Sequence, residues 1–374
     1  MNNQKNWDVF CKIVDNFGDI GVCWRLARQL HTEHGLQVRL FVTQLELASK
    51  ILVGISNCTE QTYEGVSIVR WDEKTIFATS ADVVIETFSC ELPEAYLTNM
   101  DNKTVWVNVD YLSAEDWVPE FHGLNSQHQQ ANRLRHFYFP GFSSDTGGLL
   151  REQTLISQRD SFQQSEQEIH DFFLQSLFID HDRHGLKISL FSYQNAPVEQ
   201  FLQTLAKENR AVSVFMPISY GQSASLLGQD GLKVGDAITI GGLTLHLLPF
   251  LNQTDYDRLL WACDINFVRG EDSWIRAVWA GKPFIWQPYW QTDNAHLLKL
   301  NAFLDRFYGQ PEFMKILLRI HEMWSTEQFQ TEAWHEYLTN LPAIARLTQQ
   351  QSNLLIQQKD LATNLVDFCA NLAK

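Results

Sequence analysis

The sequence predicts an α/β protein made of two successive strand–helix–strand units. Over the first 150 residues, short apolar runs alternate with longer amphipathic stretches, the pattern of a mainly parallel sheet with crossover helices. The alternation restarts at Leu186, after a polar stretch near residues 150–183. The length, 374 residues, suits two domains of roughly 100–200 residues each.

Asp8 to Val14 reads as the first strand, and Ile20 to His34 as a helix stopped by Gly35. Leu36 to Thr43 is the next strand, rich in Val, Leu and Phe, with a helical stretch at Leu45 to Leu52. Val66 to Trp71, Asp82 to Glu86 and Val105 to Asp110 are further strands. Phe121 to Arg135 is polar and Gln-rich, and His136 to Phe142 brings aromatics and a Pro-Gly turn. Glu166 to Phe178 reads as helix. The strands of the second unit are then Leu186 to Tyr193, Val212 to Ile218, Leu243 to Leu248, Asp264 to Val268 and Pro283 to Trp286. Thr254 to Ala262, Ser273 to Ala280 and Asn294 to Phe307 are helices among them, and helical Gln-rich segments close the chain from Pro311 to Lys374.

Composition narrows the function. With 45% hydrophobic and 20% charged residues, the chain is ordinary for a globular protein. The formal charge of −15 repels a phosphate backbone, and no basic stripe offsets it, so no nucleic-acid partner is expected. A cationic partner is easier to recruit. No apolar run approaches the ~18 residues of a membrane span, and the polar start, Met1 to Lys5, leads straight into a strand, so neither membrane nor signal peptide is expected. The six scattered cysteines contain no C-x-x-C pair, which points to free thiols in a reducing cytoplasm.

Ligands on such sheets bind outside the carboxyl ends of the strands, so the residues following each strand are the candidates. After the first strand comes Asp15-Asn16-Phe17-Gly18-Asp19-Ile20-Gly21. This is not a G-x-G-x-x-G turn, and two carboxylates disfavour a pyrophosphate at the helix start. Either aspartate alone reads equally well as a helix cap; both together suit holding a cation or acting as an acid/base pair.

After the strand beginning at Asp264, a tight turn at Arg269-Gly270-Glu271 leads into a helix opening at Asp272 or Ser273 and stopping at Gly281. The opening presents free backbone N–H groups and partial positive charge, and Arg269 adds a planar fork, which suits a diphosphate. Glu271, an acceptor only, suits sugar hydroxyls or a cationic substrate. Capping by Asp272 and Ser273 does not account for all three preceding residues at a strand's end. Phe191 and Tyr193 end one strand and Phe250 another, where aromatic faces can stack a base; Gln253 lies just beyond. Taken singly, each of these is more often core than ligand. Trp286 to Tyr289 and Gln291 to Ala295 extend the same edge toward a donor sugar.

Asp264 to Ala295 resembles the donor-binding half of GT-B glycosyltransferases. The segment Trp7 to Ala27, with its Asp-Asn-Phe-Gly-Asp core, together with Arg269-Gly-Glu-Asp-Ser273, resembles the EarP family, protein-arginine rhamnosyltransferases of bacterial translation elongation factor P. The likeness runs over essentially the whole chain. It implies a GT-B fold, two Rossmann-like domains facing each other across a cleft: residues 1–150 with the C-terminal helix about 350–374 for the acceptor, a linker at 151–183, and 184–349 for the donor. It implies transfer of L-rhamnose from dTDP-β-L-rhamnose, with inversion, to one arginine at the tip of the factor's KOW-like N-terminal domain. That modification activates the factor for rescue of stalled ribosomes, and no cofactor or metal is implied. Asp15, Asn16 and Asp19 would serve the acceptor. Arg269, Asp272 and Ser273 would serve the donor beside catalytic Glu271, Phe191 and Phe250 would stack on thymine, and Tyr193 and Gln253 would add nucleotide contacts.

The chemistry agrees with that implication. A guanidinium is protonated up to pH ~12 and offers no lone pair, so making it a nucleophile needs a carboxylate to hold it and take its proton during attack. Asp19 is the expected base and Asp15 its positioning partner. The leaving dTDP needs charge neutralisation, which a helix opening and Arg269 can supply. The competing expectations are a GT-B enzyme with a lipid or cell-wall acceptor, and a non-catalytic nucleotide-sugar or NAD-binding regulator.

Overall fold

In the computed structural model the chain divides into two units, Met1–Gln153 with Ile356–Lys374, and Thr154–Leu355. All residues are described except 1–4, 15–16, 129–131, 181, 219–223, 310, 327 and 374.

The first unit begins with β1 (Asn6–Cys11), buried in all but its first residue, as a strand covered on both faces must be. The helix α1 (Phe17–His34) follows and ends at Gly35, whose φ of 65° supplies the left-handed stop. Then come β2 (Gln37–Val42), α2 (Leu45–Ala48), the hairpin of β3 (Glu60–Tyr63) and β4 (Val66–Arg70), β5 (Val83–Thr87), α3 (Glu94–Asn99), β6 (Val105–Val109), α4 (Val118–Phe121), and the hairpin of β7 (Asn125–His128) and β8 (Arg133–Tyr138). The sheet order is β3-β4-β2-β1-β5-β6-β8-β7, parallel throughout except at its edge strands β3 and β7. The chain builds outward from β1 through β2 and β4, then returns to its other side with β5. The switch point therefore lies between β1 and β5, where a ligand crevice is expected.

Strand register brings Asp8 of β1 opposite Arg39 of β2. The guanidinium donates to both carboxylate oxygens at 2.7 Å, and the Tyr96 hydroxyl donates at 2.6 Å. Burial pushes the Asp8 carboxyl up while Arg39 opposes it. Beside this group Phe10, Phe41, Phe77 and Tyr96 pack ring on ring.

The second unit starts with α5 (Leu155–Gln164) and α6 (Glu166–Asp171), which continues as a π-helical turn through Ser176. Its elements are then β9 (Leu186–Leu190), α7 (Val198–Leu205), β10 (Val212–Pro217), β11 (Ala224–Leu226), β12 (Gln229–Leu232), β13 (Ala237–Ile240), β14 (Leu243–Leu248), α8 (Gln253–Ala262), β15 (Ile265–Arg269), α9 (Asp272–Ala280), β16 (Phe284–Gln287), α10 (Ala295–Tyr308), α11 (Pro311–Ser325) and α12 (Thr331–Ile356). The sheet order β13-β14-β10-β9-β15-β16 repeats the same logic, with its switch point between β9 and β15. The last helix, α13 (Leu361–Leu372), belongs to the first unit. Asp360 caps it and also accepts from Gln29 of α1, while Arg151 donates to the carbonyls of Ile356 and Gln358.

One segment and two element ends differ from the expectations. Residues 151–183 are not a free linker: Arg159 of α5 donates to the Trp279 carbonyl, and Gln163 to the carbonyls of Trp261 and Ala280, which stitch α5 into the second unit. The polar stretch 121–135 holds β7 and the start of β8, because an edge hairpin buries little and needs few apolar residues. The first strand ends at Cys11, not Val14, and α2 stops at Ala48. Five of the six cysteines are buried free thiols, and Cys58 is exposed. Among the described residues no helix is long and apolar enough to cross a membrane.

In α11, His321 is completely buried; its Nδ1 shares a 2.8 Å hydrogen bond with the Leu317 carbonyl, and its Nε2 meets no hydrogen-bond partner among the described residues. Since a carbonyl only accepts, Nδ1 carries the proton. Burial lowers its pKa to about 4. The unfolded chain takes up this proton near pH 6.5, so the stability His321 contributes is complete above pH 6.5 and lost as pH falls toward 4, by about 3 kcal/mol at most. Stability from urea melts should fall more steeply with falling pH across that range for wild type than for His321→Leu; identical pH profiles would show that His321 titrates normally.

Candidate active site

At the switch point of the second sheet, β15 runs into α9 through Arg269-Gly270-Glu271. Gly270 stands at φ 62°, a left-handed conformation that glycine adopts without strain. Its N–H donates to the Gln287 carbonyl at 3.2 Å, and its carbonyl accepts from Trp286 Nε1 at 2.7 Å. The Ser273 hydroxyl accepts from the Arg269 N–H at 3.1 Å and donates to the Arg269 carbonyl. The turn is thereby locked onto β16 and closed on the first turn of α9. Glu271 occupies the N-cap position without a capping bond from its side chain; its carbonyl accepts from Ile275 at 3.1 Å.

This closed turn aims Arg269 across the sheet edge. Its guanidinium lies 4.3 Å from the ring centre of Phe191 and 4.6 Å from that of Tyr193, both following β9, and donates to the Ser192 carbonyl at 3.2 Å. Phe191 meets Phe250 and Tyr256 edge-on, at 6.2 and 5.9 Å. Gln253 donates to Asp272 at 3.4 Å, joining the first residues of α8 and α9. The Tyr193 N–H donates to Gln287 Oε1, and Gln287 donates to Asn195. Seven predicted residues, Phe191, Tyr193, Phe250, Gln253, Arg269, Asp272 and Ser273, thus form one contiguous edge. An arginine stacked on two rings beside a helix opening can bind a nucleoside diphosphate.

At the switch point of the first sheet, Asp19 lies within the first turn of α1, two residues beyond its start at Phe17. It is nearly inaccessible, at 2% exposure, and accepts from the Val14 N–H at 2.7 Å. Asp15 and Asn16 lie outside the described residues. Behind Asp19 sit buried thiols. Cys23 lies 3.3 Å from the Thr87 hydroxyl, and Cys23 and burial, with Asp19 adding to them, push the Cys11 thiol well up. A cavity of 1140 Å³ opens at the carboxyl ends of β1, β2, β4 and β5, lined by Lys12, Thr43, Trp71 and Glu91 among others.

The model of the family described as "Elongation-Factor P (EF-P) rhamnosyltransferase EarP" matches residues 7–370. The chain belongs to the EarP family. It is 43% identical to a protein-arginine rhamnosyltransferase of Pseudomonas putida, over 98% of this chain and 99% of that one. It resembles a solved structure described as the structural basis for EarP-mediated arginine glycosylation of translation elongation factor EF-P, with TM-score 0.69, 32% identity, and coverage of 98% and 99%. The glycosyltransferase of kitacinnamycin, at TM-score 0.55 and 9% identity over 99% of both chains, shares the fold alone. The fold is GT-B, and this EarP-family chain is a protein-arginine rhamnosyltransferase.

Sequence reasoning passed over Tyr256, Asn195 and, in the first unit, Glu86, Phe88, Asn108 and Tyr111. Glu86 and Asn108 lie near the ends of β5 and β6, Phe88, Tyr111 and Asn195 on loops that follow strands, and Tyr256 within α8, and no residue-type pattern marks them. Tyr256 reads as an ordinary apolar-face residue of α8 until its ring is seen against Phe191.

Gly270 supplies a direct test of the turn. An alanine there must adopt a left-handed conformation costing roughly 1–2 kcal/mol, or about 2–8 °C in Tm for a unit of this size. Gly270→Asn should melt between wild type and Gly270→Ala, because Asn tolerates that region better. Three equal melting temperatures would mean that the turn does not depend on a left-handed residue.

Proposed function

We propose that this protein transfers L-rhamnose from dTDP-β-L-rhamnose to one arginine of translation elongation factor P, inverting the anomeric carbon and using no metal ion. The observation that carries the reading is Arg269, stacked on Phe191 and Tyr193 beside the opening of α9, in a chain whose family model names that factor. The donor's thymine is held among Phe191, Phe250 and Tyr193, with Gln253 as a polar contact. Its diphosphate lies against Arg269, Ser273 and the N–H groups at the start of α9, where partial positive charge favours anions. Glu271 accepts from the sugar hydroxyls and fixes the ring for attack.

In the first unit, Asp19 is the base. A guanidinium nitrogen of the acceptor attacks the anomeric carbon from the face opposite the diphosphate. The new C–N bond forms as the C–O bond to dTDP breaks, and the proton leaving that nitrogen passes to the Asp19 carboxylate. A free guanidinium is too weak an acid to surrender a proton beforehand, so proton transfer accompanies bond formation. Asp15 and Asn16 position the guanidinium. The factor's KOW-like N-terminal domain presents the arginine, and the reaction takes place in the cytoplasm.

Intact-mass analysis of the factor after incubation with this protein and dTDP-rhamnose tests substrate and reaction together. One deoxyhexose should be gained on a single arginine, with or without chelator. An unmodified factor would reject the acceptor assignment, and loss of transfer in chelator restored by magnesium would reject metal independence.

Two variants separate the roles. Asp19→Asn keeps shape and removes basicity, so turnover should fall by about 10²–10⁴-fold, the usual contribution of a positioned base, while dTDP-rhamnose affinity persists. Arg269→Ala should instead weaken donor binding. Near-normal turnover in Asp19→Asn would leave Asp19 as a loop anchor through Val14, and unchanged donor affinity in Arg269→Ala would take Arg269 out of the site.

A further inference from the structure

The turn leaving β5 is strained. Phe88, Ser89 and Glu91 stand at φ 56°, 52° and 60°, three left-handed residues within four positions, and none is glycine. A bulky side chain in that region is an outlier, and such conformations persist only where the surroundings over-determine them, typically where a ligand is handled. Here the surroundings do so. The Phe88 N–H donates to the Val109 carbonyl at 2.8 Å, Ser89 to Asn108 Oδ1 at 3.0 Å, Cys90 to the Thr87 carbonyl at 3.1 Å and Glu91 to Glu86 Oε1 at 3.0 Å. Glu86 and Asn108 are both fully buried, and Trp106 Nε1 also donates to Glu86.

What this scaffold holds up is a pair of rings. Phe88 and Tyr111 stack at 4.3 Å between centres and 13° between planes, on the loops leaving β5 and β6. Tyr111 is 37% exposed. At its edge, Asp110 accepts from the Tyr111 N–H at 2.7 Å and from Asn108 at 3.2 Å. The pair borders the same switch point as Asp19. Thr87, next to Phe88, donates to the Phe10 carbonyl of β1 and lies 3.3 Å from Cys23, one helical turn beyond Asp19.

An aromatic face with a carboxylate at its rim matches a guanidinium, whose plane stacks on the ring while its N–H edge meets the oxygens. We infer that the Phe88–Tyr111 pair, edged by Asp110, is the shelf on which the acceptor arginine is laid for transfer. The inference rests on the acceptor proposed above and adds residues that bind it. The strain has a role in this arrangement: a relaxed turn would swing Phe88 away from Tyr111 and lose the shelf.

Binding titrations of elongation factor P, and of the factor with its target arginine replaced by alanine, test this against wild type, Tyr111→Leu and Phe88→Leu. Melting curves and dTDP-rhamnose affinity serve as folding controls, and Tyr111→Leu carries the test if Phe88→Leu fails to fold. With the native factor, Tyr111→Leu should bind about 5–30-fold more weakly, the range of a cation–π contact, at unchanged donor affinity. With the arginine-less factor the same variant should bind as wild type does. Equal losses on both factors, or no loss on either, would overturn the shelf while leaving transfer to the factor intact. Wild-type protein that neither binds nor modifies the factor would instead overturn the acceptor assignment, and the shelf with it.

Discussion

The edge of the second sheet that carries Arg269 depends on one closed turn. Between the last residue of β15 and the first turn of α9, the chain must reverse within three residues and still leave the opening N–H groups of the helix available. Ser273 achieves this by bonding both the N–H and the carbonyl of Arg269, and Gly270 by taking a conformation that other residues resist. Trp286 then holds the Gly270 carbonyl from the neighbouring strand, with its indole stacked on Trp274 of α9 at 3.6 Å. The side chains along this edge are fixed in position because the backbone beneath them is tied to the neighbouring strand and to α9. A serine and a glycine, by closing the backbone, set where Arg269 and Glu271 leave it.

The first unit solves a related problem with different groups. Its switch point is framed by carboxylates and amides that bond backbone N–H groups: Asp19 to Val14, Glu86 to Glu91, Asn108 to Ser89. Buried ionisable groups are costly unless satisfied. Asp8 meets that condition with both of its oxygens on Arg39 and a third bond from Tyr96, which also fixes the register of β1 against β2. The loops at the carboxyl ends of these strands therefore start from a rigid line.

Much of this was legible in the residues. The alternation of apolar runs gave the parallel strands, Gly35 and Gly281 ended their helices with left-handed residues, and Arg269 to Ser273 stood out because capping alone could not explain their spacing. The edge hairpins were not legible, since β3 and β7 alternate exposed and half-buried residues and resemble loops in composition. Nor was the turn at Phe88 to Glu91. Its conformation is imposed by Glu86 and by Asn108, which comes from the neighbouring strand β6, and nothing in Phe-Ser-Cys-Glu announces left-handed backbone. The helical segment read as a linker escaped notice for a related reason: its buried Arg159 reads as a surface charge until its bonds to the Trp279 carbonyl of α9 and to Asp160 are seen.

Two arginines on either side of the α9 opening show how the second unit assigns its charges. Arg276 is buried and bidentate to Asp257, at 2.9 and 2.7 Å, so its charge is cancelled and it serves to join α9 to α8. Arg269, less than two helical turns before it, meets ring faces and a single carbonyl instead. Aromatic faces orient a guanidinium without neutralising it, because they offer a quadrupole and not a countercharge. Its charge therefore stays available for an anion that arrives. A carboxylate partner would hold Arg269 as firmly, but the leaving diphosphate would then have to compete with it. In a protein of net charge −15, where carboxylates are plentiful, the stacked geometry is what leaves the charge of Arg269 open to the anion proposed above.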